Sequence, residues 1–212
     1  MSTPAQTPLR FVTFEGGEGG GKSTQLRILA DALRQTGEAV VTTREPGGAP
    51  GAEEIRRLLV EGEPGRWPAE AEALLHFAAR AEHLAKVIRP ALDAGQWVLC
   101  DRFADSTLAY QGYGQGLDLA WLKQLRARVV GATEPGLTLI LDLPVKTGLG
   151  RAREQQRYER MGHAFHEKLQ AGFLAIAKEE PTRCTVIDAT RPIDAVAAAV
   201  RAAVAKRFGV QL

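Results

Sequence analysis

Short apolar runs alternate with stretches of helical periodicity along most of the chain. Residues 9–14 are apolar, with β-branched and aromatic members, and read as a buried strand. A glycine-rich turn follows, and a helix opens near Ser23. Its apolar positions Leu26, Leu29, Ala30 and Leu33 fall at i, i+3, i+4 and i+7, one helical face, and Gly37 stands where it should stop. Residues 39–43 form a second strand, ended by the breaker cluster Arg44-Glu45-Pro46-Gly47-Gly48. Residues 51–59 are helical. A longer helix starts at Trp67-Pro68 and runs through Leu74, Leu75, Ala78, Leu84 and Ile88 to a close at Pro90 and Gly95. Strands follow at 97–101, 137–142 and 184–188. Helices are expected at 117–130, along Phe165, Leu169, Phe173 and Ile176, and along Ile193, Val196, Ala197, Val200 and Val204. Strands alternating with helices imply parallel strands joined by right-handed crossovers. The expectation is one three-layer α/β domain over residues 1–212 with five parallel strands. The arginine-rich stretch 150–161 is the candidate mobile lid, about 146–162 in all.

The first turn carries the chemistry. Gly16-Gly17-Glu18-Gly19-Gly20-Gly21-Lys22-Ser23 fits the Walker A pattern G-x-x-x-x-G-K-[ST] and lies between a predicted strand and a predicted helix. Glycines let successive N–H groups turn inward around an anion, the helix N-terminus adds its dipole, Lys22 adds a mobile charge, and the Ser23 hydroxyl can ligate magnesium. Thr24 continues this turn. Asp101 ends an apolar strand, where a carboxylate of a parallel sheet meets the ligand crevice and can hold magnesium through water. The fold is therefore read as a P-loop nucleotide-binding domain using ATP and Mg2+.

Composition narrows the partners. The chain has 212 residues, 45% of them hydrophobic, and a formal net charge of +2. This argues against a nucleic-acid-binding surface, which would carry a strong basic bias. No apolar run reaches the roughly 18 residues a membrane helix needs. Residues 1–8 carry no apolar signal stretch, and the compartment expected is the cytosol. Cys100 and Cys184 sit in strand-like runs and read as buried thiols. His163 and His166, three residues apart, lack the further ligands a zinc site requires. A guanine-reading Asn-Lys-x-Asp motif, which a GTPase would need, is absent.

Segments outside the loop point to the acceptor. Phe14-Glu15-Gly16-Gly17-Glu18, Thr43-Arg44-Glu45-Pro46-Gly47-Gly48, Phe77-Ala78-Ala79-Arg80, Asp101-Arg102-Phe103 and Ser106-Thr107-Leu108-Ala109-Tyr110-Gln111-Gly112 occur in that order. Together they resemble the thymidylate kinase family, from about Leu9 to the last helix. The resemblance implies transfer of a phosphoryl group from ATP to dTMP, and a homodimer. It implies Arg44 and Arg102 on the dTMP phosphate, Phe77 stacked on thymine, Arg80 bonded to the base, and Ser106 and Gln111 near it. Tyr110 would press on C2′ of the sugar. Glu18 would lie near the transferred group. The P-loop has no basic residue among its four variable positions, whereas the lid has Arg151, Arg153, Arg157 and Arg160. That is similar to the bacterial lid-arginine class, with Arg153 favoured as the catalytic cation and Arg151 and Arg157 close behind. The usual Asp-Arg-x-Glu of the lid is here Gln156-Arg157-Tyr158-Glu159.

Overall fold

The computed structural model describes residues 8–151 and 157–212. Five parallel strands, β1 (Phe11–Glu15), β2 (Val40–Arg44), β3 (Trp97–Asp101), β4 (Leu137–Asp142) and β5 (Cys184–Asp188), lie in the order β2-β3-β1-β4-β5. Strand residues alternate between two faces, as the pleat requires. Trp97 and Leu99 join Val12, Phe14, Leu139 and Leu141 in one core, under α1 (Lys22–Gln35) and α9 (Ile193–Phe208). Val98 and Cys100 join Phe11 and Phe103 in the opposite one. That second face is covered by α3 (Ala69–His83), α5 (Ala104–Thr107), α6 (Leu119–Val130) and α8 (His163–Glu179). α2 (Pro50–Val60) packs on α3. The three layers and five parallel strands are as expected.

Several local expectations change. A π-helical turn, Leu84–Ile88, carries α3 into α4 (Arg89–Asp93), so Pro90 sits inside a first turn, where its missing N–H costs nothing. A π-helical segment, Leu108–Gly114, likewise extends α5; its glycines had hidden it. The short helix α7 (Val145–Arg151) opens the segment expected to be the lid; residues 152–156 lie outside the described residues. The buried stripe of α3 is also rotated from the one its leucines suggest. Leu74 is 50% exposed, whereas Glu72, Phe77, Arg80 and His83 are buried. Ile193, expected on the apolar face of α9, is 60% exposed in its first turn.

One ionic cluster ties the second face together. Asp105, fully buried, accepts from Arg183 Nη1 at 2.6 Å, Arg183 Nη2 at 2.9 Å and Arg126 Nη1 at 3.1 Å. It thereby links α5 to α6 and to the start of β5. Burial opposes its charge, but the two guanidinium groups outweigh burial and hold its pKa below the usual value. Removing one partner of such a group leaves buried charge uncompensated. Asp105→Ala should therefore cost about 3–5 kcal/mol in denaturant unfolding. Glu179→Ala, which breaks the half-exposed pair with Lys123, should cost less than about 1 kcal/mol. Equal losses would refute this ranking.

Candidate active site

The crevice lies above the C-terminal ends of β1, β3 and β2. Strand register sets Asp101 opposite Phe14 on one side and Arg44 on the other. The P-loop leaves β1 and enters α1, whose N-terminus has no side-chain cap, so its N–H groups are available to an anion. Lys22 is buried, and its Nζ donates to the carbonyls of Gly17 at 2.7 Å and Gly16 at 3.3 Å. Burial and nearby Arg102 lower its pKa. A cavity of about 490 Å³ opens over the loop and is lined by residues 19–24, Asp101, Arg102 and Arg151. Gly16 and Gly17 instead lie behind the loop, against a small void beside β4.

Ser23 Oγ donates to Asp101 Oδ2 at 2.5 Å. A hydroxyl and one carboxylate suit magnesium, which is commonly held by one or two protein oxygens, water and substrate phosphates. Among the described residues no cluster of three or more His, Cys, Asp or Glu could hold a metal on its own.

Arg102 is the pivot of the site. Among the described residues it is the one non-glycine with positive φ, 68°. Its backbone N–H is fixed by the Phe14 carbonyl at 2.9 Å, and the side chain turns back over the P-loop. Nη1 donates to the Gly16 carbonyl at 2.9 Å and to Ser106 Oγ at 3.3 Å; Nη2 donates to Glu18 Oε1 at 2.8 Å. The Tyr110 hydroxyl donates to the same Glu18 oxygen at 2.5 Å. Burial opposes the Glu18 charge, but Arg102, Lys22 and that hydroxyl hold its pKa at about 2. Glu18 is thus an anion that holds Arg102 and Tyr110 in place. Glu15, absent from the sequence candidates, anchors the turn after β3. It accepts from Phe103 N–H at 2.7 Å and Ser106 Oγ at 2.6 Å, while burial and neighbouring Asp105 raise its pKa to about 8.

A second cavity, of about 230 Å³, lies beside the first. Glu18, Ser23, Asp101, Arg102 and Glu159 line both. Arg44 and Arg102 line its near end with Arg56, which sequence reasoning passed over as an ordinary helical cation. Arg44 forks onto Glu53 at 3.1 Å, and Arg56 donates to the Pro46 carbonyl at 2.7 Å. Three planar guanidinium groups converging on one end fit a phosphate.

The walls further in are supplied by α3 and α5. Arg80 is almost wholly buried. It donates to Glu45 Oε2 at 2.8 Å, the Phe103 carbonyl at 3.0 Å and Thr107 Oγ1 at 3.1 Å, leaving Nη1 without a protein partner. Gln111 donates to Glu72 at 2.7 Å, and its Oε1 is also without a partner. Phe77 is corrected. It is 3% exposed and does not line the cavity, because its ring packs under the Arg80 guanidinium, 5.0 Å away. His76, one residue earlier and four before Arg80, takes the lining position.

A thymidylate kinase family model matches residues 14–200. The chain belongs to the thymidylate kinase family. It is 55% identical to the thymidylate kinase of Caulobacter vibrioides over 203 residues, 94% of this chain and 98% of that one. It is 53% identical to that of Ruegeria pomeroyi, over 90% of this chain and 92% of the other. The crystal structure of thymidylate kinase from Ehrlichia chaffeensis superposes with a TM-score of 0.74 at 38% identity, covering 90% and 94% of the two chains. As a member of this family the chain is a kinase that uses ATP and Mg2+ to phosphorylate dTMP.

The lid arginines divide. Arg151 lines the P-loop cavity and donates to the Ala189 carbonyl at 3.4 Å. Arg153 lies outside the described residues. Arg157 is corrected: it is buried in an ion pair with Glu72 on α3, away from the P-loop. Arg160 pairs with exposed Glu63.

α7 reaches the loop through two glycines. A Cβ on Gly148 would lie 2.4 Å from the Glu18 carbonyl oxygen, and one on Gly19 would lie 2.1 Å from the Gly148 carbonyl oxygen. Alanine normally strengthens a helix by about 1 kcal/mol over glycine. Gly148→Ala should instead lower kcat/KM by about 10–100-fold by moving the loop. Gly150→Ala, with open space at its Cβ, should leave turnover unchanged. Equal turnover of the two variants would show that the contact is not needed.

Proposed function

We infer that the two joined cavities place ATP over the P-loop and dTMP beside it, with transfer at their shared wall of Glu18, Ser23, Asp101, Arg102 and Glu159. That shared wall is the observation that carries the reading. Phosphoryl transfer needs little covalent help from protein; positioning and charge compensation dominate. Lys22 leaves the loop carbonyls for the β and γ phosphates. Arg44, Arg56 and Arg102 hold the dTMP phosphate in line. The free donor on Arg80 and the free acceptor on Gln111 match the carbonyl and N–H of a pyrimidine edge. Tyr110, fixed by Glu18, sets the sugar position against a ribose hydroxyl. Ser23 and Asp101 would hold Mg2+, which supplies charge neutralisation between phosphates. Arg151, and Arg153 beyond the described residues, complete the lid-arginine assignment.

A coupled ADP-release assay with ATP, magnesium and a panel of monophosphates tests this, with dTMP expected as the best acceptor. Lys22→Ala should cut kcat by at least about 100-fold. Arg80→Ala should raise the KM for dTMP about 10–100-fold, the worth of a charged hydrogen bond, and leave that for ATP within about twofold. Activity without Lys22, or equal changes in both KM values, would remove the assignment.

The same reading includes a homodimer. Leu74, Ala78 and Ala81 form an exposed apolar stripe at i, i+4 and i+7 of α3, and Leu58 is exposed on neighbouring α2. Leu74→Glu should shift the mass found by light scattering from two chains to one; a wild-type monomer, or an intact variant dimer, would refute this interface. Among the described residues no helix is long and apolar enough to cross a membrane. With free, buried Cys100 and Cys184, this supports assignment to the cytosol.

A further inference from the structure

The C-terminal part of the lid segment enters the acceptor cavity through one side chain. Tyr158 lines that cavity, and its hydroxyl shares a hydrogen bond of 2.9 Å with His76 Nε2. Its ring meets Tyr110 edge-on at 5.3 Å. The Arg157 guanidinium lies 4.7 Å from the same ring and is itself paired with Glu72. Glu72, His76 and Arg80 are spaced i, i+4 and i+8, a single stripe of α3. The first two hold the C-terminal part of the lid segment, and the third is the inner-wall cation assigned to the base. Burial and the positive charges of Arg80 and Arg157 lower the His76 pKa to about 3, and burial raises that of Tyr158. The contact is therefore between two neutral groups. It can be displaced without stranding a charge, unlike the ion pair beside it.

We propose that Tyr158, held in place by His76, is a specificity-determining residue for the acceptor. Through it the C-terminal part of the lid segment closes the base side of the cavity and limits the size of the base admitted. The proposal rests on dTMP occupying this cavity. His76 acts as a positioning residue: it fixes the tyrosine ring at the wall and leaves Tyr110 free for Glu18. A base substituent larger than a methyl group must displace the tyrosine and break the bond to His76. A base that fits leaves both intact.

Three variants separate this from a packing role. Tyr158→Phe and His76→Phe each remove the hydrogen bond and keep a ring, and Tyr158→Ala removes the wall. Wild-type turnover of dTMP is measured first; its absence would overturn the acceptor assignment itself, before any variant is read. The two phenylalanine variants should each raise the KM for dTMP about three- to tenfold with kcat and the KM for ATP unchanged, as expected for one neutral hydrogen bond. Their double variant should be no worse than either alone, because both delete the same contact. His76→Gln, which can still bond the hydroxyl, should restore the KM. Tyr158→Ala should raise kcat/KM for dUMP analogues with a bulky 5-substituent, relative to dTMP, by at least about tenfold. Multiplicative effects in the double variant, or an unchanged preference in Tyr158→Ala, would overturn the proposal. Should Tyr158→Ala fail to fold, the phenylalanine pair and the glutamine rescue decide it alone.

Discussion

Cations meant for phosphate must be held in a folded protein before any phosphate arrives, and this constraint organises the crevice. Lys22 rests on the carbonyls of Gly16 and Gly17, Arg102 on Glu18, and Arg44 on Glu53. Each placeholder is a weaker or more hydrated partner than a dianionic phosphate, so substrate binding becomes an exchange of partners rather than the filling of a charged void. Arg102 shows the limit of this arrangement. Its left-handed backbone is uncommon for a residue with a Cβ, and it persists because Phe14, Gly16, Ser106 and Glu18 fix both its backbone and its side chain.

The parallel sheet supplies the geometry at little extra cost. Because neighbouring strands run the same way, Glu15, Arg44 and Asp101 all emerge at one edge, and register alone brings Asp101 level with Arg44. The helices that line the second cavity pack on one face of the sheet, and the P-loop leads into α1 on the other, so the two cavities meet at the strand ends.

What could be read in the sequence followed from contiguity. The strand–loop–helix around Lys22, the five strands and Asp101 depend on neighbours in the chain, and a period of two or 3.6 exposes them. Arg44 and Arg102 were found because the segments at the ends of β2 and β3 carry the family resemblance. Arg56 was not, since a cation on an exposed-looking helix becomes distinctive only when α2 folds over the Pro46 carbonyl. Glu15 was quoted only as part of a motif; its role depends on the turn at Phe103, 88 positions away along the chain. The π-helical segment Leu108–Gly114 escaped because its wider turn and its glycines break the periodicity that identifies a helix, whereas Leu84–Ile88 was read as part of the long helix.

The exchange of His76 for Phe77 follows from the same physics. Spacings of three and four both bring residues to the face of Arg80, so the sequence alone could not choose between them, and hydrophobicity favoured phenylalanine. The structure resolves this through α3, whose buried face is polar where it meets the acceptor cavity and whose leucines point outward. A helix normally turns its apolar side to the core. Here the core beside it is a binding cavity, and burying Glu72, Arg80 and His83 is tolerated because each has a charged or hydrogen-bonding partner. Inverting the helix to bury Leu74 would turn those groups to water and leave their partners Glu45 and Arg157 buried and unpaired, at a cost of several kcal/mol for each such charge, which exceeds the roughly 1.5–3 kcal/mol gained from one leucine. The recognition face of α3 is thus fixed by the expense of leaving its polar residues unpartnered, and its exposed leucine follows from that choice.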